Sequence, residues 1–77
     1  MYRILFIETG EYLYCLYNWG ELYCYNEVKN ESETHIYEVS SKEEAIQKLD
    51  YDTTIYPNGG RGIQIPWNKI LFEIVEV

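Results

Sequence analysis

The residues with the widest chemical range in this chain are two cysteines, one histidine and an arginine set among glycines. Cys15 and Cys24 both lie in the stretch EYLYCLYNWGELYCYNEV, residues 11–28. A hairpin with a two-residue Trp19-Gly20 loop would set the thiols face to face. A three-residue Asn18-Trp19-Gly20 loop, with Gly20 as its left-handed residue, would put them on opposite faces. Neither register makes a zinc site, because there is no CxxC and only one histidine. His35 ends a polar loop after Glu31, Glu33 and Thr34. The spacing supports no Ser-His-Asp or Cys-His pairing around it. Catalytic, cofactor and metal residues are therefore all assigned as none, and the chain reads as a non-enzyme.

Asn58-Gly59-Gly60-Arg61-Gly62 has a different potential. Successive glycine amides can form an anion-binding nest, and Arg61 adds a planar fork for phosphate or carboxylate. Tyr56 and Trp67 flank the loop and could stack on a base. A small-ligand or nucleotide site would thus use Tyr56, Gly59, Gly60, Arg61 and Trp67. The loop lacks the Lys-Ser/Thr of a P-loop and opens no helix.

The elements that must position these groups follow from patterning. Arg3–Ile7 is a short β-branched and aromatic run closed by a Thr9-Gly10 turn, which would pair Phe6 with Leu13. Strands are expected over 12–17, 22–28 and 35–39. Ser41-Lys42-Glu43-Glu44 matches a capping box, opening a helix with Ala45, Ile46 and Leu49 as its apolar stripe and Asp50-Tyr51-Asp52 at its end. Residues 53–66 connect to a last strand in KILFEIVEV, expected to pair with the first. The whole of 1–77 is then one small α+β domain. Its sheet is mostly antiparallel, in the order ββββαβ, with one short helix packed on one face.

Alternation carried through both turns makes the tyrosine-rich hairpin apolar on both sides. Tyr2, Tyr17, Tyr23 and Tyr25 are expected on one face, opposite Tyr12 and Tyr14. A short helix covers only one face. The other is either covered by the 53–66 loop or left open as an interface, where aromatic rings bury while their hydroxyls stay satisfied. A homodimer is the simplest form of such an interface.

Size and charge bound the rest. A chain of 77 residues buries only about 60% of its unfolded surface, so self-association or a well-packed aromatic core must support it. Thirteen Asp and Glu against six Lys and Arg give a formal charge of −7. That charge argues against direct nucleic-acid binding and fits either plain solubility or steering toward a basic protein surface. Glu27, Glu31 and Glu33 gather around one loop as an acidic edge. MYRILFI is too short for the apolar core of a signal peptide, and no run approaches the ~20 residues of a membrane helix. A soluble, cytoplasmic protein is expected.

The opening MYRILFIETGEYLYC, the capped SSKEEAIQKL and the closing KILFEIVEV resemble the small accessory proteins of large tailed bacteriophages. That resemblance implies a protein that binds and disables a host protein, such as a nuclease or defence factor, in the host cytoplasm. The contacts expected to carry this are Tyr2, Tyr17, Tyr23, Tyr25, Glu27, Glu31 and Glu33.

Overall fold

The computed structural model describes residues 1–17, 20–55 and 69–77, with Thr54 and Ile55 described by backbone alone. Strand β1 (Tyr2–Phe6) is central to the first sheet and alternates as expected, burying Ile4 and Phe6 toward the core. One edge pairs along its whole length with the last strand, Phe72–Glu76, from Tyr2 opposite Glu76 to Phe6 opposite Phe72. The pairing of first and last strands is therefore found.

The other edge of β1 is shared by two strands. β2 (Glu11–Tyr12) takes one end, with Leu5 opposite Tyr12 and Phe6 opposite Glu11. The segment Glu38–Val39 takes the other end, with Tyr2 opposite Val39. Between them stands Leu13, fully buried, whose amide donates to the Ile4 carbonyl at 2.8 Å and whose carbonyl accepts from the Tyr37 amide at 3.0 Å. Past Leu13 the chain continues as β3 (Tyr14–Leu16), the middle of a second, three-stranded ladder. Its neighbours are β4 (Leu22–Tyr23) and, beyond a one-turn helix α1 (Tyr25–Val28), β5 (Thr34–Ile36). β5 bends at Tyr37 into β6 (Glu38–Val39), then come α2 (Lys42–Ile55), a 3-10 turn (Lys69–Leu71) and β7 (Phe72–Glu76). With β2–β3 and β5–β6 each counted as one bent strand, the order is ββββαβ with α1 inserted. The fold is a small α+β domain with antiparallel sheets.

Three local expectations change. The first turn is longer than a two-residue hairpin: Ile7 to Gly10 bridge the strands, Gly10 with φ +73° and its amide on the Phe6 carbonyl. The pairing shifts by two residues, so Ile4, Phe6, Leu13 and Cys15 still share the buried side. In the second turn the left-handed residue is Tyr17, at φ 62°, and not Gly20. Gly20 is needed for closeness instead, since a Cβ there would lie 2.1 Å from the Leu16 carbonyl oxygen. The register sets Cys15 opposite Leu22 and Tyr14 opposite Tyr23, one step from the three-residue-loop expectation. Finally, the third strand stops at Tyr23. Tyr25, Asn26 and Glu27 are exposed in succession before the buried Val28, which breaks the in–out alternation that a strand requires.

Helix α2 opens as Ser41 accepts the Glu44 amide at 3.2 Å. Glu44 does not return to the Ser41 amide; its carboxylate accepts from the Ser40 hydroxyl at 3.5 Å. The helix outruns Asp52, because the buried stripe is Ala45, Leu49 and Asp52 at i, i+4 and i+7, with Ile46 turned out at 41% exposure. Asp52, only 3% exposed, accepts the buried Leu22 amide at 2.7 Å, and Lys48 Nζ lies 3.4 Å from its other oxygen. That carboxylate ties α2 to β4, while Ile4, Phe6, Leu13, Leu22 and Phe72 complete the core against Ala45 and Leu49.

Burial raises the Asp52 carboxyl above its ordinary value, more than the Leu22 amide and Lys48 lower it. A raised folded value means that the native state binds the extra proton, so this contribution is fully present below the ordinary aspartate range and is lost as pH rises through the folded value. Asp52→Asn, which keeps an acceptor for Leu22, should remove that fall from the stability–pH curve measured by denaturant melts. Asp52→Ala strands the Leu22 amide and should cost about 1–3 kcal/mol. An asparagine variant with the wild-type pH slope would contradict the assignment.

Candidate functional site

Tyr12 and Tyr14 flank the buried Leu13, so strand alternation turns both to the side of the sheet away from α2. Helix α1 then brings Tyr25 to the same place. The Tyr14 and Tyr25 rings meet at 5.0 Å between centroids, tilted by 46°, an ordinary attractive aromatic geometry. Gly10, Glu11, Tyr12, Tyr14 and Tyr25 enclose a pocket of about 170 Å³. Pockets for drug-sized ligands run from about 300 to 1,000 Å³, so this one suits a single side chain and not a nucleotide. Beside it, the Arg3 guanidinium lies 5.0 Å from the centre of the Tyr12 ring and pairs with Glu38 at 2.8 Å.

The pocket's rim is acidic. Glu11 is exposed, and among the described residues no cationic side chain pairs with it. Burial, then Glu27 and then Glu11, push the Cys24 thiol above its ordinary value. Glu27 on α1 and Glu31 and Glu33 after it are all exposed, as an acidic edge requires.

The expected grouping of tyrosines is not what forms. Tyr2 sits at the start of β1, half-buried between Val39 and Glu76. Tyr23 packs against the core, its hydroxyl donating to Glu21 at 3.2 Å. Tyr17, 51% exposed, stands at the second turn. Tyr25 meets the Tyr14 ring and lines one pocket with Tyr12 and Tyr14, from which alternation had separated it. The helical turn at residues 25–28 is the physical reason. The composition of residues 25–28 is strand-like and carries no signal of that turn. Tyr56, Gly59, Gly60, Arg61 and Trp67 lie outside the described residues, as does most of the 53–66 loop.

The structure also makes a Cys–His contact that spacing did not suggest. Cys15 faces His35 across β3 and β5, with Sγ 3.2 Å from Nε2 and 3.4 Å from the Tyr17 carbonyl. His35 Nδ1 lies 3.4 Å from the Glu33 carbonyl. This has the outline of a nucleophile, base and orienting group. Yet Cys15 is only 2% exposed, and burial outweighs Lys48 in raising its thiol, with Asp52 raising it further. The pair is thus a hydrogen bond within the sheet, not an accessible nucleophile. The nearby Tyr37 hydroxyl is pushed up to about 12 by burial and then by Glu44, Cys15 and Asp52. Both cysteines are free. Among the described residues no three His, Cys, Asp or Glu side chains gather to hold a metal ion, and no helix is long and apolar enough to cross a membrane.

No family model matches the chain, and no curated protein or solved structure is similar enough to carry an inference.

The two thiols should differ in a labelling experiment. Both raised values leave less thiolate at neutral pH than an ordinary cysteine has. With a chromogenic disulfide reagent, the half-buried Cys24 should react slowly and Cys15 only when the protein unfolds. Fast labelling of Cys15 in native buffer would show that Sγ is open and revive a nucleophilic role.

Proposed function

We propose that this chain is a non-enzymatic accessory protein that binds a host protein through its acidic, tyrosine-rich face, in the manner of phage inhibitors of nucleases or defence factors. The single observation that carries this reading is the Tyr12–Tyr14–Tyr25 cluster, a set of half-exposed rings with Glu11 beside them. Aromatic residues anchor protein interfaces because a rigid ring buries much area at low entropy cost. The charge of −7 steers the chain toward a basic surface, such as one that itself binds nucleic acid. The resemblance of its opening, helix and tail to phage accessory proteins supports the same class and an action in the host cytoplasm. The binding residues are Tyr12, Tyr14, Tyr25 and Glu11, with Glu27, Glu31 and Glu33 as the charged rim; Tyr2 and Tyr23 are left to packing.

Capture from host lysate tests this. Wild-type protein should retain a partner that Tyr14→Ala with Tyr25→Ala loses, while Ile46→Ala on the far side of the molecule retains it. Light scattering on the free protein separates a host partner from a second copy of the chain. Equal capture by both variants would contradict the site.

A further inference from the structure

We infer that the pocket formed by Tyr12, Tyr14, Tyr25 and Glu11 is a cation site that takes one lysine or arginine side chain from the bound partner. The inference rests on the protein-binding reading and specifies the chemistry at its centre. Three observations carry it.

First, size: this half-open pocket of about 170 Å³ has room for a side-chain head group. Second, the walls are of the type that attract cations. Tyrosine rings carry the negative lobe of the quadrupole on their faces, and Tyr12, Tyr14 and Tyr25 line the pocket together with Glu11. Third, the molecule already uses this chemistry one step away. Arg3 lies 5.0 Å over the Tyr12 ring and 2.8 Å from Glu38, so a guanidinium is held there by one ring and one carboxylate. The pocket repeats that pairing of ring and carboxylate with more rings. Among the described residues it has no cationic side chain of its own, since Arg3 is engaged by Glu38 and does not line it.

A neutral group of the same shape gains ring contact but neither the cation–π attraction nor the charge-assisted bond to Glu11. An apolar plug would gain nothing from that carboxylate, whereas a cation would. The occupant is therefore charged, and it comes from a protein surface because the −7 chain approaches such surfaces preferentially.

The test uses n-butylguanidinium chloride as probe and n-butylurea as its neutral isostere, each titrated into isotopically labelled protein at low salt and followed by amide NMR shifts. Butylguanidinium should give saturable shifts at Gly10, Glu11, Tyr12, Tyr14 and Tyr25 with an affinity about ten-fold above that of butylurea. Glu11→Gln, an exposed change that leaves the fold intact, should remove most of the preference, and Tyr25→Leu should weaken both probes. Equal affinity for the two probes, shifts centred elsewhere, or a preference that survives Glu11→Gln would overturn the cation assignment. Those results would leave the protein-binding reading standing if lysate capture still depends on Tyr14 and Tyr25. Loss of that dependence would remove the reading as well.

Discussion

The structure turns on one buried residue, Leu13, whose two backbone groups serve two different strands. Its amide closes the ladder to Ile4 in β1, and its carbonyl receives Tyr37 from the bend between β5 and β6. A central strand has only two edges, and β7 occupies one of them completely. β2 and β6 must therefore divide the other, and Leu13 is where the division falls. Without that shared residue the two small sheets would have separate edges and unpaired backbone groups at their junction. With it, β2–β3 and β5–β6 each bend once and pass from one ladder to the next.

The same residue organises both faces. Its side chain enters the core with Ile4, Phe6, Leu22, Ala45, Leu49 and Phe72. By alternation its neighbours Tyr12 and Tyr14 point the other way, where α1 supplies Tyr25. Helix α2 is committed to the inner side, and Asp52 fixes it there by holding the Leu22 amide. Among the described residues, α2 is the one helix longer than a single turn, and it covers the inner side. The tyrosines on the other side line a small pocket with Gly10 and Glu11.

Much of this was legible in the sequence. β-branched and aromatic runs identified β1 and β7, their core-like composition suggested the pairing, Ser41 and Glu44 marked the start of α2, and the buried set Ile4, Phe6, Leu13 and Cys15 survived a two-residue shift in register because the shift was even. The second hairpin was not legible, because its register depends on a turn in which Tyr17 takes the left-handed conformation that Gly20 seemed made for. Once that register moved by one residue, Tyr23 and Leu22 exchanged sides. The stop of the third strand was hidden for a related reason: Tyr25 to Val28 has strand-like composition, and only the burial of Val28 against exposed neighbours favours a helical turn. The Cys15–His35 contact could not be read from spacing at all, since it depends on β5 pairing with β3 across a long separation. Asp52 was read as a helix stop because a carboxylate on a buried stripe is rare unless a partner awaits it.

The central claim is that the side of the sheet bearing Tyr12, Tyr14 and Tyr25, and not the helical side, meets the partner. Amide hydrogen exchange of the protein alone and in complex with its captured partner measures this most directly. The account predicts added protection over Gly10–Tyr14 and Tyr25–Val28, with α2 unchanged. Protection concentrated on the exposed side of α2, with none at the tyrosine pocket, would contradict it.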